Sequence, residues 1–273
     1  MKKVLFFLFV TSITINGVSQ EAKDKKFQAG LIVGSGLSFQ KMGTKYLKSA
    51  GGNDLTLGAN FNFNFSETIG FCTGLEFDFS TMNYKQGALP VYYWYKDAEI
   101  LQARDIDRGN PASNLYRLEE RNQKVIYMTL PTMFIFRTSF FGAMRYFGKF
   151  GLRNSIMVSN KINDKGFNMD KLDTMIVSNS VTNENMKARN ETAFFKSALG
   201  LCGGAEWNFS GSTSLVAELG FYYGITQLYW KKDSDGAQGD LKTSLYVKDD
   251  ANIINFANRA TQSQLMLKVS ILF

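Results

Sequence analysis

QLMLKVSILF, residues 264 to 273, puts Leu265, Leu267, Val269, Ile271 and Phe273 on one side of an extended chain. Gln264, Met266, Lys268, Ser270 and Leu272 fall on the other side. A two-residue period of this kind marks a strand with two chemically different faces.

The same alternation recurs upstream. Residues 55 to 65, LTLGANFNFNF, set Leu55, Leu57, Ala59, Phe61, Phe63 and Phe65 against Thr56, Gly58, Asn60, Asn62 and Asn64. Residues 27 to 39, 70 to 80, 124 to 136, 146 to 158, 194 to 209 and 213 to 226 repeat it, which makes eight expected strands. Short connections (66 to 69, 137 to 145 and 210 to 212) alternate with long ones (40 to 54, 81 to 123, 159 to 193 and 227 to 261). An even strand count, with turns at one end and loops at the other, is the asymmetry of a transmembrane β-barrel. Pro131, inside the fourth strand, predicts a local bulge.

Polarity distinguishes this barrel from a soluble sandwich or a lipocalin-like barrel. The glycine-rich face carries Glu76, Lys149, Arg153, Lys196, Glu206, Glu218 and Lys268, while the bulky face is nearly free of charge. A Lys or Arg facing lipid at the bilayer midplane costs about 2–4 kcal/mol, so the clean face is expected outside and the ionised face inside. Aromatics near the strand ends suit two interfacial girdles. Phe65, Tyr146, Trp207, Phe209 and Phe273 would form the turn-side girdle, and Tyr127, Tyr229 and Trp230 the loop-side one.

Inside, Glu218 with Lys268, and Arg153 or Lys149 with Glu206, are the expected ion pairs, since they lie on neighbouring strands. Eight strands enclose space that side chains can fill, so a plug of paired charges is the leading reading, beside a narrow pore or a ligand site. Cys72 and Cys202 fall on this inner face, on distant strands, and are expected as free buried thiols.

Histidine is absent, which removes His-dependent triads, proton shuttles and most zinc sites. No Walker or dinucleotide motif is present, so no enzyme activity, catalytic residue, metal or cofactor is expected. The formal charge of +7 does not signal nucleic acid, because basic and acidic residues are interspersed, with six of each between residues 82 and 122. Lys2 and Lys3, the apolar run Val4 to Ile15, and Gly17-Val18-Ser19 read as an export signal over residues 1–19, leaving 20–273 as the barrel domain.

In the loops, Asn110-Pro111 with Leu115 and Leu118 suggests a helix start. Met169, Leu172, Met175 and Ile176 have helical spacing, as do Ile253, Phe256 and Ala257. Tyr92, Tyr93, Trp94 and Tyr95 form an aromatic run that would suit protein or glycan contact.

Three segments carry a family resemblance. IYMTLPTMFIFR (126–137), GLCGGAEWNF (200–209) and ELGFYYGITQL (218–228) resemble the fourth, sixth and seventh strands of the PorT-like outer-membrane β-barrels of Bacteroidetes-type bacteria, over residues 27 to 273. The resemblance implies an all-β, eight-stranded antiparallel up-and-down barrel in the Gram-negative outer membrane, with periplasmic termini. Its implied role is structural or interactive, as an accessory in protein secretion or envelope assembly. A small-solute channel or uptake protein is the alternative, and surface adhesion through the loops is a further one. Its partners would be outer-membrane lipid, the barrel-insertion machinery, which would read the terminal strand ending in Phe273, and other envelope or secretion proteins.

Overall fold

In a computed structural model of the chain, the described residues are 25–106, 114–169, 180–188, 191–210, 213–229, 243–249 and 252–273. The expected export signal lies outside them, as do Asn110, Pro111, Leu172, Met175, Ile176 and Trp230. No described helix is long and apolar enough to cross a membrane.

The fold is all-β. Among the described residues, one continuous sheet contains thirteen strands rather than the expected eight. They are β1 (Phe27–Met42), β2 (Leu47–Asn64), β3 (Ile69–Gln86), β4 (Val91–Lys96), β5 (Glu99–Ile100), β6 (Asn114–Arg137) and β7 (Met144–Met169). The remainder are β8 (Val181–Ala188), β9 (Phe195–Ser210), β10 (Thr213–Gly224), β11 (Leu245–Asp249), β12 (Asn252–Phe256) and β13 (Ala260–Leu272). Antiparallel pairing runs in a circuit from β1 through β2, β3, β6, β7, β9, β10 and β13 and back to β1. The last pairing sets Val33 opposite Val269 and Leu37 opposite Leu265.

The five strands outside that circuit occupy stretches expected as loops. A second circuit links β4, β6, β7, β8 and β5, with β5–β8 its one parallel contact. β11 joins β4 on its other side, and β12 joins β11. β6 and β7 belong to both circuits because they are 24 and 26 residues long, where a bilayer needs about 9–11. Their upper halves therefore stand clear of the apolar belt and carry a cap.

Burial confirms which face points where. Along β13, Leu265, Leu267, Val269 and Ile271 are exposed, while Gln264, Met266, Lys268 and Ser270 are buried. The belt continues around the circuit through Leu31, Phe63, Phe77, Phe134, Phe150, Leu201 and Leu219, all exposed. A chain that buries lysine and exposes leucine on alternate residues is built for a hydrocarbon surround.

The cap reverses this. Leu47, Val91, Tyr93, Ile100, Tyr116, Leu118, Ile162, Met186, Leu245, Val247 and Phe256 form its apolar core. Outward positions on the same strands are Lys124 and Glu120 on β6 and Lys161 and Lys165 on β7, all exposed.

Several expectations are corrected. Leu115 and Leu118 lie in β6, and Ile253 and Phe256 in β12, so neither stretch is helical. Tyr92 and Tyr93 are buried, and Trp94 and Tyr95 half-buried. Alternating strand residues from Val91 point to opposite sides, and each side joins an apolar cluster: Val91 and Tyr93 pack with Leu47, Ile100 and Phe256, and Tyr92 with Leu115 and Tyr246. Residues 43–46 suffice to join β1 and β2, because both strands run further than expected.

Pro131 makes no bulge. The β3–β6 register is the same on both sides of it (Thr73 opposite Thr132, Glu76 opposite Thr129), and the ladder skips Gly74 and Leu75. A missing N–H interrupts the hydrogen bonds without inserting a residue.

The turn-side girdle of Phe65, Tyr146, Trp207, Phe209 and Phe273 is exposed. Tyr127 and Tyr229 instead point inward and are buried, and exposed aromatics at the loop side of the belt include Phe39, Phe79, Phe194, Phe195 and Tyr223.

Candidate functional site: the luminal charge network

The site is the barrel interior. Its centre is Arg153 on β7, whose Nη2 lies 2.7 Å from Glu76 Oε2 and 2.6 Å from Asp78 Oδ1 of β3. Arg153 Nη1 also donates to Gln264 Oε1 at 3.1 Å. Asp78 accepts further bonds from the Thr56 and Thr129 hydroxyls. From β13, Lys268 Nζ reaches Glu76 Oε1 at 2.8 Å. Lys149 Nζ meets Glu218 Oε2 at 2.5 Å.

Glycine explains how such long side chains fit. Lys268 is opposite Gly34 in register, and a Cβ on Gly34 would stand 2.8 Å from Lys268 Cγ. The bare backbone of β1 lets the lysine stem lie across it and reach the third strand round. Tyr222 uses Gly200 and Gly220 the same way: a Cβ on either would come within 2.9 Å of its ring. That ring carries the Arg153 guanidinium at 5.0 Å and the Lys268 ammonium at 5.2 Å, a favourable arrangement once the cations are desolvated.

A second cluster seals the turn end. Arg145 grips Glu206 with Nε at 2.8 Å and Nη2 at 3.1 Å, the two-pronged geometry guanidinium favours. Arg137 Nε stands 3.9 Å from the same carboxylate. Toward the cap, Lys196 Nζ donates to Gln262 Oε1 at 2.9 Å and lies 3.8 Å over the Tyr127 ring.

The fold thus brings Glu76, Lys149, Arg153, Glu218 and Lys268 into one network, with different pairings from those expected. Lys268 faces Glu218 in register but bonds Glu76, and Lys149 takes Glu218. Glu206 stands apart, on Arg145 rather than on Arg153 or Lys149. Sequence reasoning missed Arg137 and Arg145, and set Asp78 on the polar face of its strand without giving it an ion-pair partner. Each continues an inward alternation already recognised: Asp78 follows Glu76, Arg137 follows Met133 and Ile135, and Arg145 precedes Phe147 and Lys149. Cys72 and Cys202 are free and buried, and the Cys202 thiol donates to the Tyr222 hydroxyl at 3.3 Å.

Among the described residues, the cap contains a further buried pair. Arg121 donates to Asp164 from Nε at 2.9 Å and Nη2 at 2.8 Å, with Glu191 at 3.7 Å. Burial opposes the Arg121 charge, but Asp164 and then Glu191 outweigh it and raise its pKa above the ordinary arginine value. Burial also pushes the Tyr93 phenol well above its usual range, with Asp164 adding to the effect.

A cavity of about 10 Å³ is lined by Arg153, Ser155, Lys196, Gln262 and Gln264, and a water needs about 10–15 Å³. No group of three or more acidic, cysteine or histidine side chains suited to a metal occurs among the described residues. The arrangement can neutralise and fill a lumen.

A family model described as outer membrane protein beta-barrel domain matches residues 41–229. No curated protein matches the chain. Similar solved structures include Ail, the attachment invasion locus protein of Yersinia pestis, at 12% identity and TM-score 0.32, covering 91% of this chain and 100% of that one. OprG of Pseudomonas aeruginosa is similar at 10% identity and TM-score 0.39, covering 90% and 93%. The N-terminal β-barrel domain of Pseudomonas aeruginosa OprF is similar at 10% identity and TM-score 0.31, covering 92% and 100%.

Proposed function

The chain belongs to the outer membrane protein beta-barrel domain family and so to the outer membrane, and on that premise we propose that it is a non-enzymatic, non-conducting barrel whose working surface is its cap. Eight strands cross the bilayer, the termini are periplasmic, and the cap stands outside. Residues 1–19 direct export and are removed. The strand from Gln264 to Phe273 engages the insertion machinery, a role supported by its exposed alternate residues and the exposed Phe273 ring.

The observation carrying this reading is the luminal network: Arg153, Glu76, Asp78, Lys268, Lys149 and Glu218 satisfy one another across the barrel, beside a cavity too small for a solute. A channel would need that network to open. With transport disfavoured, interaction remains, and the resemblance of residues 126–137, 200–209 and 218–228 to PorT-like barrels supports an accessory role in protein secretion or envelope assembly. Affinity capture of the intact protein from envelopes tests this: secretion or assembly components should co-purify reproducibly with wild type and be lost when the cap core is disrupted. Steady single-channel conductance in a planar bilayer would instead establish the channel alternative.

A further inference from the structure

β2, β3, β6 and β7 present two rows of outward side chains immediately beyond the apolar belt. In the lower row, Asn53, Thr81, Lys124 and Lys161 are consecutive register partners. In the upper row they are Lys48, Lys85, Glu120 and Lys165. The rows lie four residues apart along β6, about 13 Å at strand rise.

Twice in this surface, lysines stand directly opposite one another, Lys124 with Lys161 and Lys48 with Lys85. Side chains so placed have Cβ atoms about 4.5–5.5 Å apart, and like charges there are destabilising. One acid belongs to the two rows: Glu120, which pairs with Lys85 at 3.2 Å. Lys124 and Lys161 have no acidic partner among the described residues; their outward neighbours along the strands are Asn122 and Asn163. At the corresponding end of the belt, β9 presents Phe195 and β10 Tyr223, with Ile225 just beyond it, instead. Five lysines and one glutamate therefore sit together on the tall side of the barrel, at the level where hydrocarbon gives way to headgroups.

We infer that this face seats the phosphorylated headgroup of an outer-leaflet lipid, with Lys124 and Lys161 gripping a phosphate group and Lys48, Lys85 and Lys165 meeting negative charge above it. Lysine stems can lie along the apolar belt while the ammonium reaches the headgroup layer. The phosphate removes the repulsion that the bare cross-strand pairs otherwise carry. This rests on the proposed placement of the cap outside the membrane.

The test compares full-length wild type with Lys124→Gln/Lys161→Gln in detergent, using native mass spectrometry to count retained diphosphorylated lipid A. The double variant should bind about 25-fold more weakly, about fivefold per lysine, while Lys96→Gln, in the cap, changes binding less than twofold. Equal retention by wild type and the double variant overturns the inference. So does equal binding of the dephosphorylated lipid, or displacement by inorganic pyrophosphate at matched concentration, which would mark a free-anion site. Labelling Lys96→Cys, in the cap and outside the two rows, on intact cells with an impermeant thiol reagent separates the two readings. If Cys introduced there is unreachable, the orientation has failed. If it is reachable while lipid retention is unchanged, the lipid site alone has failed.

Discussion

β6 runs through two environments with opposite rules. Between Tyr127 and Arg137 its inward residues include Thr129 and Arg137, and its outward ones are Leu130, Phe134 and Phe136. Between Asn114 and Lys124 its inward residues include Tyr116 and Leu118, and its outward ones Glu120 and Lys124. The strand continues, but the solvent around it changes. In the lower half lipid accepts the apolar side, leaving the interior to ion pairs. In the upper half water accepts most of the charges, leaving the interior to a hydrophobic core beside the described pair of Arg121 and Asp164. Stability in the two halves thus has different sources, buried electrostatics below and apolar burial above.

The largest test breaks the lower half. Arg153→Met leaves Glu76 and Asp78 without their shared guanidinium and should destabilise by about 3–5 kcal/mol, read as the urea unfolding midpoint in detergent. Replacing Lys149 and Glu218 together with Met should be near neutral, since removing both members leaves no stranded charge. Equal losses from the two changes would mean that charge pairing is not what organises the lumen.

Next comes the cap core. Leu118→Ala should cost about 2–5 kcal/mol, and its effect should be local. Amide exchange would accelerate in β4, β5 and β8 while strands such as β10 and β13 remain protected. Uniform acceleration would show that the two circuits unfold as one unit.

Outer faces separate the regions again. Leu267→Arg places a cation in the apolar belt and should cost about 2–4 kcal/mol. Asn53→Arg, beyond the belt on β2 and opposite the uncharged Thr81 and Leu37, should stay within about 0.5 kcal/mol. Similar losses at both would place the membrane boundary elsewhere.

The smallest effect concerns pH. Tyr93 has a raised folded-state pKa because it is buried beside Asp164. The stability linked to its neutral form is present below the ordinary tyrosine value of about 10 and declines as pH rises beyond it. Cap amides should therefore lose protection in that alkaline range, and Tyr93→Phe should lessen the loss by about 1 kcal/mol. A cap indifferent to pH there would place Tyr93 in contact with water.

All-β architecture, the outward apolar belt and the inward positions of Glu76, Lys149, Arg153, Glu206, Glu218 and Lys268 were legible in the sequence, because alternation is a local property of an extended chain. The cap was not. Above the belt the two sides of a strand differ less in polarity, and short runs such as Ile253, Phe256 and Ala257 match helical spacing equally well. Nor could the sequence choose the partners: Lys268 stands opposite Glu218 but bonds Glu76, since closure and Gly34 open a path across the lumen. Periodicity decided which way each side chain points. Only the closed tertiary structure decided what it meets, because contact across a barrel depends on the ring of strands, their register and the glycines between, which no single segment encodes.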